Sequence, residues 1–221
     1  MAEELDFLMN ETYDRLAREI LDVWEQKKAS GCHQLLVGFA APPGAGKSTT
    51  VMQLCKRIPH SIPLPMDGYH YTKKQLGEFE DPVEAFRRRG ANWTFDAANF
   101  VLDLQKLRDT GSGSFPSFDH AIGDPKYNDI LINPEEHQIV LIEGNYLLLD
   151  IYPWSTIKGL LDVSYFIDCE YSILEKRVVS RHISVGRTPE EAQARFTNND
   201  GPNASLILQN KNRADKVFQS K

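Results

Sequence analysis

Cysteine is scarce in this 221-residue chain: Cys32, Cys55 and Cys169 stand alone, with no CxxC spacing. That excludes a disulfide framework and a zinc ribbon, and it predicts reduced thiols in a cytoplasmic protein. His33 adjoins Cys32, but no second cluster completes a ligand set. Long apolar runs are also missing; none approaches the roughly 20 residues needed to span a bilayer. The first ten residues are acidic rather than basic and then apolar, so they do not read as a secretory leader. Positive charge is not in excess, with 25 Lys and Arg against 31 Asp and Glu, a net of −6. A duplex-binding surface normally carries a basic excess, so nucleic acid is excluded as the main partner, although a local basic pocket for an anion is not. Repeats and low-complexity segments are absent.

What is present is ordinary globular composition, 41% hydrophobic and 25% charged. That is enough apolar surface for one domain spanning residues 1–221. Leu5, Leu8, Tyr13, Leu16, Ile20, Leu21 and Trp24 recur every three to four residues and predict an amphipathic opening helix, stopped by Ser30-Gly31. Buried strands are predicted at 35–40, 139–142 and 163–167, with a proline-flanked edge strand at 62–66 and a closing strand at 214–218. Helices are predicted at 47–57, 81–89, from Thr94 as N-cap, at 171–182 and from Thr188 as N-cap. Residues 111–114 read as a loop, and 199–203 as a turn expected near the adenine of a nucleotide. Strands alternating with helices imply an α/β fold, a mostly parallel sheet of about five strands with helices on both faces.

Between the first strand and its helix runs Gly38-Phe39-Ala40-Ala41-Pro42-Pro43-Gly44-Ala45-Gly46-Lys47-Ser48-Thr49. This is the context and composition of a phosphate-binding P-loop. Glycines let backbone amides approach phosphate oxygens, and the helix N-terminus adds partial positive charge. Pro43, Gly44, Ala45, Gly46, Lys47, Ser48 and Thr49 are the predicted nucleotide contacts. Lys47 has the reach for the terminal phosphates, Ser48 can ligate Mg2+, and Thr49 can meet the α-phosphate. Alanine at 41 departs from the first glycine of GxxxxGK[ST], which matters only if that position needs positive φ. The competing reading is a glycine-rich turn carrying a surface lysine.

A guanine reader would need Asn-Lys-x-Asp, but Asn210-Lys211-Asn212-Arg213 puts arginine where the carboxylate belongs. A kinase needs an acceptor-side carboxylate, a magnesium-side acid and cations for the transferring phosphoryl. Asp67 follows the second strand and Glu143 ends a later one, so both are predicted at the carboxyl edge where α/β sheets bind ligands. Asp67 reads equally as an Asp-Gly turn residue, and Glu143 as a rim glutamate. Arg177 and Arg181, four apart, share a helix face, either as cations of a closing lid or as a solvated basic face. Arg187, beside the candidate hinge glycine Gly186, is a third such cation. The run Arg87-Arg88-Arg89 either binds an anionic group or supports a helix end. Phe118-Asp119-His120 and His70 are further candidates for the acceptor pocket.

The segments FAAPPGAGKST, MDGYH, RRRGANWTFDA, FPSFDHAIGDP, VLIEGNYLLL, RVVSRHISVG and NNDGPNA run from about residue 35 to 206. In this order they resemble the phosphoribulokinase/uridine kinase/bacterial-type pantothenate kinase family of P-loop small-molecule kinases, nearest its uridine-kinase-like and fructose-operon-type branch. The resemblance implies a P-loop NTPase fold with a helical lid at about 176–200 and an acceptor-side insertion at about 70–125. It implies ATP and Mg2+ as cofactors, phosphoryl transfer to a hydroxyl of a small molecule such as uridine, and Asp67 as the catalytic carboxylate. Lys47, Arg177 and Arg181 would join it in catalysis, Ser48 and Glu143 would hold the metal, and Tyr69, His70, Arg89, Asp119 and His120 would meet the acceptor. A sugar or pantothenate is an alternative acceptor. A catalytically weak ATP-binding module or a plain hydrolase is the alternative of another class. Homodimers are common among such kinases. Around MDGYH and PSFDHAIGDP the sequence departs from the best-known uridine kinases.

Overall fold

The computed structural model describes residues 2–119 and 121–220, with side chains described from residue 8 onward. The opening apolar stripe folds as α1 (Ala2–Ala29). After it come β1 (Leu35–Ala40), α2 (Lys47–Cys55), β2 (Ser61–Pro65) and a 3₁₀ turn, Met66–Tyr69. Two short helices, α3 (Lys73–Leu76) and α4 (Pro82–Arg87), lead to α5 (Ala97–Thr110). A hairpin of β3 (Gly113–Asp119) and β4 (Asp124–Ile132) precedes β5 (Ile139–Gly144) and β6 (Val163–Asp168). The chain ends with α6 (Tyr171–Ser184), α7 (Pro189–Arg195), α8 (Gly201–Leu208) and β7 (Lys216–Gln219).

The central sheet has the order β2-β5-β1-β6-β7, and every pairing in it is parallel. Because a parallel sheet is covered on both faces, its central strands are largely apolar, and all six residues of β1 are buried. Alternation divides them. Leu35, Val37 and Phe39 face one core with Leu16, Ile20 and Trp24 of α1 and Val51 and Leu54 of α2. Leu36 and Ala40 face the other, with Phe100, Leu104 and Leu107 of α5 and Trp154. At Gly38 an added Cβ would sit 2.4 Å from Leu161 Cδ1, so that core closes only over a glycine. Proline-rich β2 is an edge strand, as its composition requires.

Three expectations are corrected. Thr94 does not cap α5: Asp96 does, accepting from Asn99 N–H at 3.2 Å. Thr94 is instead buried, its hydroxyl donating to Ala91 O and accepting from Gly90 N. Residues 113–114 are not loop but the start of β3; the antiparallel β3–β4 pairing depends on contacts across a bulge that short-range patterning does not reveal. Residues 199–203 are not a turn: a single π turn, Phe196–Asp200, runs straight into α8, with Pro202 in its first turn, where proline is tolerated.

Asp162 ties the sheet to two helices. Its carboxylate accepts from Leu36 N at 2.9 Å, Lys27 Nζ at 3.0 Å and Arg108 Nη1 at 2.6 Å, and its own amide donates to Leu36 O. Burial alone would raise this carboxyl, but Arg108, the Leu36 amide and Lys27 hold it below the usual range. A depressed carboxylate pKa contributes stability that is complete above the ordinary value of about 4 and fades as pH falls through the lower folded value. Asp162→Ala, which orphans a buried amide and two cations, is expected to lower unfolding free energy by about 2–4 kcal/mol. Denaturant titration at pH 7 checks it, and an unchanged midpoint would contradict the assignment.

Candidate active site

The P-loop follows β1 directly, so its position is set by the most buried strand of the sheet. Positive φ falls on Gly44 (84°) and Gly46 (90°), while Ala41 is not among the positive-φ residues. The departure from the glycine pattern at 41 is therefore harmless to the backbone, and Ala41 is packed into the core instead. Gly44 is doubly constrained, since an added Cβ would approach Val178 Cγ2 to 2.9 Å and Leu174 O to 3.2 Å on α6. Gly46 is the N-cap of α2 and no side chain caps that end. The first amides of α2 thus have no preceding turn to bond and no local acceptor, which is the arrangement that binds an anion.

Strand register brings the two acids to this loop. Glu143 pairs with Phe39 on one side and Pro65 on the other, and Asp67 follows Pro65 by two residues. Ser48 Oγ donates to Glu143 Oε1 at 2.6 Å. Lys47 Nζ donates to Ala41 O at 3.0 Å and Pro42 O at 3.2 Å. Burial pushes the Lys47 ammonium below the usual lysine range, the Glu143 and Asp67 carboxylates draw it back up, and Arg181 pushes it down. Among the described residues the Asp67 carboxylate takes no hydrogen bond or ion pair, unlike Asp96, Asp103, Asp119 and Asp124, all of which are tied to neighbours. The 3₁₀ turn holding Asp67 is clamped by the hairpin: a Cβ on Gly68 would fall 2.1 Å from Pro116 O.

A cleft of about 650 Å³ is lined by Pro43, Gly44, Ala45, Gly46, Lys47, Ser48 and Thr49 together with Asp67, His70, Glu143, Arg177 and Arg181. Ten predicted site residues and both predicted metal-side groups therefore share one cavity. Arg177 reaches Gly44 O at 3.3 Å and Ser220 Oγ at 3.1 Å, joining α6 to the loop and to the end of β7. Arg187 is exposed and does not line the cleft.

The predicted acceptor contacts are dispersed. His70 lines the cleft, with Nδ1 2.9 Å from Asp67 O and its ring 3.9 Å from Phe95 and 4.8 Å from Phe118. Tyr69 is turned into the core, its hydroxyl on Asp103 Oδ2 at 2.7 Å. Arg89 is directed into the hairpin, donating to Gly123 O, Tyr71 O and Asp124. Asp119 accepts from the amides of Ala121 and Ile122, closing its own turn. His120 lies outside the described residues. Sequence reasoning missed Phe95 and Asn145, which also line the cleft. Asp200 and Asn203, from the segment expected as a turn near adenine, line it too, from a π turn and α8. The arginine run is occupied: Arg87 pairs with Glu84, and Arg88 donates to Asn199 and Asn203. Arg195 of α7 reaches the carbonyls of Arg87 and Arg89, so the segment after α6 is fastened to the end of α4 and the turn that follows it.

The chemistry of the donor set fits magnesium. Ser48 and Glu143 present hard oxygens beside the phosphate loop, and no group of three or more His, Cys, Asp or Glu able to hold a metal occurs among the described residues. Mg2+ suits such a sparse set, because it keeps waters and takes substrate phosphates as ligands.

The model of the Phosphoribulokinase / Uridine kinase family matches residues 36–221. The chain belongs to this family. It is therefore an ATP-dependent P-loop kinase, a phosphotransferase. It is 37% identical over 230 residues to a Schizosaccharomyces pombe protein named "Putative uridine kinase", an alignment covering 99% of this chain and 95% of that one. YggC of Escherichia coli is 32% identical across 83% of this chain and 77% of its own length. Among solved structures, one named "putative fructose transport system kinase", from Silicibacter sp. TM1040, superposes with a TM-score of 0.84 at 28% identity, covering 93% of this chain and 98% of that one. YFH7 of Saccharomyces cerevisiae superposes equally well, TM-score 0.84 over 94% of this chain and 98% of that one, at 21% identity, which speaks to the fold alone.

Forcing a side chain into the left-handed region costs about 1–2 kcal/mol. Gly46→Ala is expected to weaken ATP binding about 5- to 30-fold. Ala41→Gly should leave it within about twofold, since 41 needs no positive φ. Calorimetric titration with ATP checks both, and a large gain from Ala41→Gly would show that the loop is compromised by alanine.

Proposed function

We propose that the chain transfers the γ-phosphoryl group of ATP to a hydroxyl of an uncharged small molecule, a nucleoside such as uridine being the leading acceptor. The observation that carries this reading is the convergence of Asp67, Glu143 and Lys47 on one cleft with the phosphate loop. Lys47 and the amides of 44–49 hold the triphosphate, and Ser48 with Glu143 would hold Mg2+. The metal, when bound, would neutralise phosphate charge. Asp67, with its carboxylate uncommitted, accepts or orients the proton of the acceptor hydroxyl. Arg177 and Arg181 stabilise charge on the transferring group, and the segment 176–200 acts as a lid that keeps competing water out. The insertion 70–125 shapes the acceptor end of this single domain.

Two features support an uncharged, flat acceptor. Arg87, Arg88 and Arg89 are engaged with protein partners rather than held out for a carboxylate or phosphate on the acceptor, and Asp67 adds negative charge beside it. His70 and Phe95 line the cleft beside Asp67 and give a base an aromatic surface there. A neutral sugar is the second reading, favoured by the name of the Silicibacter relative. Pantothenate, which is anionic, is less well served. The free thiols at 32, 55 and 169 suit a cytosolic setting, and no described helix is long and apolar enough to cross a membrane. A homodimer is compatible with this assignment.

Asp67→Asn is expected to reduce turnover about 10²- to 10⁴-fold with ATP affinity nearly intact, and an unchanged rate removes Asp67 from the mechanism. An ATP-turnover panel of uridine, cytidine, fructose, ribulose 5-phosphate and pantothenate should show phosphorylation confined to the first three. Preferred turnover of ribulose 5-phosphate or pantothenate would refute the uncharged acceptor, and equal phosphate release without any acceptor would mark a hydrolase.

A further inference from the structure

The cleft has a second end that the chemistry above leaves unassigned. Beyond the phosphate loop, away from Asp67, His70 and Phe95, its walls are Met9 and Tyr13 of α1, Thr50 of α2, Ile167 of β6, and Phe218 with Ser220 at the end of β7. Transfer to an acceptor at Asp67 fixes the direction of the nucleotide. The terminal phosphate must lie toward Asp67 and Glu143, so the nucleoside half extends toward this second end.

α1 precedes residue 36, where the match to the family model begins. Its place in the cleft therefore lies outside the segment that the family model describes. The helix is held firmly there. Leu16, Ala17, Ile20 and Trp24 are buried in the core with β1, and Arg57 of the segment after α2 binds Asp14 at 2.6 Å and Asn10 at 2.8 Å. The same guanidinium sits 5.5 Å from the Tyr13 ring centre. Burial raises the Tyr13 hydroxyl above its usual range, while a hydrogen bond with Thr50 lowers it, so this ring bridges α1 to the helix that starts at the phosphate loop. Tyr13 is 7% exposed and acts as the backing, whereas Met9, one turn nearer the N-terminus, is only half-buried and meets the cavity. Opposite, Ser220 is fixed by Arg177, and its Oγ lies 4.0 Å from where a Cβ on Gly46 would be.

Resting on the kinase reading, we infer that Met9, backed by Tyr13, is a nucleotide-positioning residue: α1 supplies an apolar wall against the base of ATP, facing Phe218 and Ser220 across the cleft. A thioether is suited to this contact, being flexible, polarizable and favourable against an aromatic ring. The wall acts on the base alone. It has no reach toward the triphosphate, which the loop already grips.

The test separates base from phosphate. Met9→Ala and Met9→Leu are made in the full chain, and the affinities of ATP and of inorganic tripolyphosphate are measured with Mg2+ by calorimetric titration. Met9→Ala is expected to weaken ATP about 5- to 10-fold and leave tripolyphosphate unchanged, while Met9→Leu, which keeps the apolar contact, stays within about twofold of the parent for both. Equal losses for both ligands, or no loss of ATP affinity in Met9→Ala, would overturn the inference while leaving the kinase reading intact. A parent chain that binds neither ligand would overturn both.

Discussion

Directly after β1 the backbone turns through left-handed conformations at Gly44 and Gly46 and leaves the first amides of α2 uncapped, the local arrangement that suits an anion. Everything else in the site is arranged around that turn. The turn can keep its shape only on a rigid base, and β1 supplies it by being the central strand, buried along its whole length and paired with parallel neighbours on both sides. α6 closes over Gly44 so tightly that no side chain fits, and Arg177 from the same helix bonds the Gly44 carbonyl. The loop's shape is thus held by its surroundings as well as permitted by its glycines.

Parallel register then does the chemical sorting. Glu143, Phe39 and Pro65 lie side by side in three neighbouring strands, so the carboxyl ends of β5 and β2 deliver Glu143 and Asp67 to the loop that β1 delivers. The two acids differ in circumstance. Glu143 already accepts from Ser48, whereas the Asp67 carboxylate is uncommitted among the described residues. That difference in environment underlies the separate metal-side and acceptor-side roles proposed for them.

The sheet and the phosphate loop were legible in the sequence because their signals are local: apolar runs, a strand-glycine-helix junction, and GK[ST] at the helix start. The β3–β4 hairpin was not, since its register depends on pairs 5 to 19 residues apart and passes through a bulge at Phe115 to Ser117. Asn199 to Asn203 misled for a related reason: Asn-Asp-Gly-Pro has turn composition, yet a π turn lets the helix absorb it, with Asn199 and Asn203 anchored by Arg88. The acceptor pocket was read least well. Tyr69, Arg89 and Asp119 carry the right chemistry, but each side chain is spent on internal bonds to Asp103, Asp124 or its own turn, and only tertiary structure can say which polar groups remain for a ligand. The resemblance to known kinases located these segments without locating their side chains.

The account stands on backbone amides gripping phosphate, and that can be observed directly. Amide resonances of Gly44, Ala45, Gly46, Lys47, Ser48 and Thr49 should shift together when ATP and Mg2+ are added to the isotopically labelled protein, saturating with the same midpoint as turnover. Saturable ATP turnover with those six amides unmoved would show that the nucleotide is held elsewhere and would contradict the assignment.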